Sequence, residues 1–220
     1  MKQLISVFAI MAIMLSACTG NNKQVNAQSI ADLEIRHEDA DHHLDSRENM
    51  DHHNMEMGSG IEHHMDSSPM TVQKSRTNSI VIDAYLKIKN ALVADNGKDA
   101  TKAAKDLVNA FDNIYKSSIP AEKMSEVKEI IEDAREHADH ISENQGNIEH
   151  QREHFEMLSI DIKGLIAVAG ADRTLYQIYC PMYNNKKGGM WLSASNEIKN
   201  PLYGSKMLNC GEVKSKISIQ

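Results

Sequence analysis

Cysteine is rare in this sequence, with three in 220 residues, and that excludes a fold scaffolded by disulfides. Aromatic residues make up only 5%, with a single Trp, so the core is expected to be aliphatic and modest in size. Positive charge is also short: a net charge of -7 and a pI of about 5.9 leave no basic face of the kind nucleic acids need. The N-terminal apolar run, residues 4–15, is too short to cross a bilayer as a permanent helix. We find no nucleophile–base pair, phosphate-binding loop or partnered carboxylate pair, so an enzyme is not expected. What the chain has in excess is 13 Met and 11 His, and both are clustered. Its length fits one domain with extensions, or two small ones.

The N-terminus reads as an export signal. Lys2 supplies a short positive start, the apolar run follows, and Leu15-Ser16-Ala17-Cys18 resembles the bacterial lipobox. Residues 1–17 are therefore expected to be a lipoprotein signal peptide, with Cys18 carrying the lipid that attaches the chain to a membrane of the bacterial cell envelope. An ordinary signal peptide with a chance cysteine is the alternative. Thr19, in place of Asp, gives no inner-membrane retention signal and points to the outer membrane, facing the periplasm. Residues 18–77 are acidic and nearly free of aromatics, too poor in apolar side chains to offset chain entropy, so a disordered tether is expected. It carries a loose repeat, Asp41-His42-His43, Asp51-His52-His53 and Glu62-His63-His64, interleaved with Met50, Met55, Met57, Met65 and Met70. Imidazole suits copper, zinc and nickel, and thioether adds a preference for Cu(I). The tether is expected to hold metal loosely and exchange it quickly; a plain solvated linker is the alternative.

Residues 78–214 read as the folded part. Val81, Tyr85, Ile88 and Leu92 recur at helical spacing, with Asn78 or Ser79 as cap and Asn96-Gly97 as stop. A second helix is expected over 99–115, a third from Pro120 to the break at Asn144-Gln145-Gly146-Asn147, and a fourth from Ile148 to Gly170. Such helices with short connections predict a mostly α fold, an up-and-down four-helix bundle. Beyond Ala171 the period changes to that of strands. Residues 175–180 and 190–192 predict a small hairpin packed on the bundle, with turns at 184–189 and 200–204. From Lys214 the chain is expected to fray, leaving 215–220 as a tail.

Two constellations carry candidate chemistry. Cys180 with Met182, and Met207 with Cys210, pair a thiol with a thioether; brought together they would offer four soft ligands fit for Cu(I), with silver or zinc as alternatives. A Cys180–Cys210 disulfide is the competing reading in an exported protein, closing a loop that stabilises by about 3 kcal/mol. On the fourth helix His150 and His154, four residues apart, share a face and could complete the sulfur set, or could be an ordinary polar pair. His137 and His140 on the third helix are expected to be solvated or at the core edge.

Residues 79–213 resemble the bacterial family catalogued as domain of unknown function 3347. The resemblance rests on Asp83-Ala84-Tyr85-Leu86, Gln151-Arg152-Glu153-His154-Phe155, Tyr179-Cys180-Pro181-Met182, Trp191-Leu192-Ser193 and the run from Asn200-Pro201-Leu202-Tyr203-Gly204 through Ser205-Lys206-Met207-Leu208-Asn209-Cys210-Gly211. It implies an envelope domain that also occurs fused to heavy-metal efflux adaptors. Tyr179-Cys180-Pro181-Met182 is also similar to the Tyr-x-Cys-Pro-Met segment of heavy-metal-binding domains, with Tyr183 where that segment has His. The expected function is a lipid-anchored copper-binding protein for sequestration or delivery to an efflux system. The alternative is a disulfide-stapled helical module that docks on an efflux adaptor without a tight metal site of its own.

Overall fold

The computed structural model describes residues 68–114 and 119–220. The signal peptide, Cys18 and the His/Met repeats of residues 41–65 lie outside the described residues. The chain runs β1 (Met70–Val72), α1 (Ser79–Val93), α2 (Gly97–Ile114), α3 (Met124–Glu143), α4 (Ile148–Ala169), β2 (Leu175–Cys180), β3 (Gly189–Ser193) and β4 (Glu212–Ile219). It is mostly helical with a small sheet, as the change of period along the sequence predicts. Among the described residues no helix is long and apolar enough to cross a membrane.

Each long helix buries the stripe its sequence advertises. Val81, Tyr85, Ile88 and Leu92 of α1 are buried, as are Ala100, Ala103, Leu107 and Phe111 of α2. On α3 the buried set is Val127, Ile131, Ala134, Ala138 and Ile141; on α4 it includes Phe155, Leu158, Ile162 and Leu165. Helix α1 packs on α2, α2 on α3 and α3 on α4, while α4 also touches α1. The alanines of α2 and α3 let these helices approach closely, and the aliphatic side chains fill the space between.

The strands form one sheet in the order β1-β4-β2-β3. Strand β2 is antiparallel to both β3 and β4, and β1 runs parallel to β4. Strand β3 is buried throughout and lies against α4. Two expectations are corrected here. The C-terminal residues do not fray: residues 212–219 are β4, with Ile217 fully buried between β1 and β2. The tether does not run to residue 77 as unstructured chain, because Met70–Val72 is a strand and Lys74 bridges to Ala171. Backbone pairing between distant segments, which leaves no local period, accounts for both. The expected hairpin is thus one side of a four-stranded sheet, with β3 at the edge and β2 paired on to β4.

Two buried polar side chains bind sheet and loops to the helices. The Tyr85 hydroxyl lies 2.8 Å from Ser159 Oγ of α4 and accepts the Leu192 amide of β3 at 2.9 Å, while its ring stacks on Phe155. Arg152 of α4, only 2% exposed, donates to the carbonyls of Leu92 and Pro201 and to the carboxylates of Asp95 and Glu149. Asp95 accepts the Ser205 amide in turn, and Asn200 Oδ1 accepts the amides of Leu202 and Tyr203. The loop at 200–205 is thereby pinned to the end of α1. Gly204 sits here at φ +57°, where a Cβ would run into Asp95 and the Arg152 guanidinium. Arg152→Met removes a buried donor shared by two backbone carbonyls and two carboxylates, so it is expected to lower unfolding free energy by about 3 kcal/mol in denaturant titration, with Arg152→Lys recovering only part.

Candidate metal centre

The turn between α3 and α4 is closed by asparagines. Asn144 Nδ2 donates to the His140 carbonyl at 2.8 Å, capping the end of α3, and Asn147 Oδ1 accepts the His150 amide at 3.2 Å, capping the start of α4. With so short a connection the two helices run antiparallel, and Lys123 near the start of α3 reaches the Val168 carbonyl near the end of α4. Residues at similar distances from the turn therefore meet. His140 and His137 stand four and seven residues before Asn144; His150 and His154 stand three and seven after Asn147.

The four imidazoles form one cluster. His140 and His154 stack with ring centroids 4.1 Å apart, and His150 meets His154 edge-on at 4.6 Å. One ring nitrogen from each of His140, His150 and His154 lies within 4.8 Å of the others. Around one tetrahedral ion with bonds of about 2.0–2.1 Å these nitrogens would sit about 3.3 Å apart. His137 Nδ1 lies 3.2 Å from His154 Nδ1 on the other side.

Burial and neighbouring groups disfavour protonation of His154 and His137. Burial pushes the His154 imidazolium down to about 4, helped by His140, His150 and His137 around it, so near neutrality its ring offers a lone pair. Burial lowers His137 as well, against the pull of Glu136 and Asp133. Asp161 faces His137 Nε2 at 3.9 Å, and its buried Oδ2 has no hydrogen-bond partner. Burial first, then Asp133 and Glu156, push its carboxyl up to about 7. Glu153 Oε2 stands 3.2 Å from His150 Nδ1 and also lines an acidic cavity of about 470 Å³ with Glu149, Glu156, Tyr183 and Tyr203. Those carboxylates add negative potential beside the imidazoles.

The sulfur constellation is arranged differently from a four-ligand pocket. Cys180 and Cys210 are joined as a disulfide with Cα atoms 5.7 Å apart, the alternative that the sequence left open. In that state neither offers a thiolate, and Cys180 is fully buried. Met182 is 43% exposed and Met207 half-buried, flanking the bridge. His150 and His154 are turned toward His140 and His137, which belong to the cluster and not to solvent or the core edge as their position on α3 alone predicts. The signal that finds those two is their spacing from the turn, visible only when the two helices are folded back on each other.

The Asp161 shift has a checkable consequence. A carboxyl raised in the folded state contributes stability at low pH that is lost as pH rises through about 7. Asp161→Asn removes that loss, so the metal-free variant is expected to melt above the parent at pH 8, with the gap closing toward pH 4. A gap that stays constant across this range would contradict it.

No curated protein and no solved structure matches the chain. The family model described as "Protein of unknown function (DUF3347)" matches residues 81–174, from α1 to the threshold of β2 and including all four clustered histidines. Over that stretch the chain is similar to the DUF3347 family.

Proposed function

We propose that this is a non-enzymatic, lipid-anchored protein of the bacterial cell envelope that binds copper, for sequestration or for delivery to an efflux system. The observation that carries the reading is the convergence of His140, His150 and His154 within 4.8 Å. Imidazole suits copper and zinc, and among the divalent ions Cu(II) binds nitrogen sites most tightly, so copper is favoured with zinc and silver as competitors. Three protein ligands leave one coordination position open. An incoming ligand from a partner can enter there, which is what transfer by ligand exchange requires. The scaffold in this reading is an up-and-down four-helix bundle whose α3–α4 end holds the ion. The His/Met tether from Cys18 would collect metal nearby and pass it on.

A second reading draws support from the disulfide: a stapled helical module that docks on an efflux adaptor and holds no tight ion. Titration with Cu(II) and Zn(II) against a competing chelator separates the two. In the chain with every histidine before residue 68 changed to Asn, one tight ion is expected. Changing His140, His150 and His154 together to Asn abolishes it, whereas Cys180→Ser with Cys210→Ser keeps it and lowers stability by about 3–4 kcal/mol for the 30-residue separation. Absence of a tight ion in the parent would favour the docking module.

A further inference from the structure

The four histidines are not equivalent in what lies behind them. His137 is the one that turns its two nitrogens to two different partners, Nδ1 to His154 Nδ1 at 3.2 Å and Nε2 to Asp161 Oδ2 at 3.9 Å. Asp161 Oδ2 is buried and has no hydrogen-bond partner. A buried carboxylate oxygen left in that condition is disfavoured unless something nearby supplies a donor. The His137 ring, with Nε2 at 3.9 Å, is a candidate donor.

From this arrangement we infer that His137 and Asp161 are positioning residues: they aim His154 and fix its tautomer, and His137 is not itself a ligand. The assignment of protons follows from the contacts. Closing the 3.9 Å gap would let Asp161 Oδ2 accept the Nε2–H of His137; the bare Nδ1 of His137, 3.2 Å from His154 Nδ1, then accepts the Nδ1–H of His154. With its Nδ1 proton so engaged, His154 has a lone pair only on Nε2, which is then the nitrogen left to bind an ion beside His140 and His150. Every polar atom in the chain from carboxylate to ion then has one partner. Metal-bound histidines commonly donate their second nitrogen to such an outer group, which raises ligand basicity and holds the ring in place. Here the outer group is a second imidazole, supplied by α3, with its own carboxylate supplied by α4. The two helices are thus coupled through the site as well as through their packing.

The inference rests on the metal reading above, and its test tells the two apart. The probe is Zn(II) for affinity and Cu(II) for pulsed electron paramagnetic resonance, on the full chain with every histidine before residue 68 changed to Asn. The resonance experiment counts bound imidazoles and reports the hydrogen bonding of each remote nitrogen. His137→Leu is expected to weaken Zn(II) binding about ten- to a hundredfold while one ion still binds through three imidazoles. The remote-nitrogen signal of one imidazole shifts. His137→Gln, whose carboxamide oxygen can accept the His154 proton, recovers most of the affinity. Asp161→Leu weakens binding similarly, and combining it with His137→Leu adds little, since both cut the same chain. A merely structural role for His137 would move melting temperature without shifting the remote-nitrogen signal. Two outcomes overturn the inference: an imidazole count that drops from three to two in His137→Leu, which makes His137 a ligand, or affinity and spectrum unchanged in that variant. If the parent chain binds neither ion, the metal reading itself falls and this inference falls with it.

Discussion

The four-residue turn from Asn144 to Asn147 is the constraint on which the site depends. Its two asparagines satisfy backbone groups that belong to two of the clustered histidines, the His140 carbonyl and the His150 amide. The register of α3 against α4 is therefore set at the point where the imidazoles must meet. Ala134, Ala138 and Ile141 on one side and Phe155 and Leu158 on the other hold that register by burial. A slip of one residue would rotate each imidazole by about 100° around its helix and scatter the set. Gln151 braces the same end, with Nε2 within hydrogen-bonding reach of Gly97 O, Thr101 Oγ1 and Ile141 O.

Around this end the rest of the domain acts as a clamp. Arg152, next to the cluster on α4, binds the loop at 200–205 to α1, and Tyr85 binds β3 to α1 and α4. The Cys180–Cys210 bridge ties the end of β2 to the segment before β4. The sulfurs of Cys180 and Cys210 are thus spent on a bridge, while the rings of His140, His150 and His154 converge. Asp161, held beside His137, has its carboxyl raised by burial first and then by Asp133 and Glu156.

Much of the scaffold was legible in the sequence, because the apolar stripes of α1 to α4 repeat over several turns and their stops are marked by Asn96-Gly97, Asn144-Gln145-Gly146-Asn147 and Gly170. The hairpin strands were legible from alternation. Strands β1 and β4 were not: β1 has only three residues, and each of the two pairs with distant segments of the chain. The cluster was half legible. His150 and His154 announce themselves on one helix face, but His137 and His140 look like polar surface when α3 is drawn alone. The sulfur pairs carried a real ambiguity, since a thiol pair close enough to share an ion is also close enough to oxidise.

The central claim is that nitrogen, not sulfur, holds the ion. X-ray absorption at the zinc edge, on the oxidised full chain loaded with one equivalent of Zn(II), tests it directly. The account predicts a first shell of light atoms only, at about 2.0–2.1 Å, with the multiple-scattering pattern of imidazole. A sulfur shell at about 2.3 Å would contradict it and return the site to the cysteines.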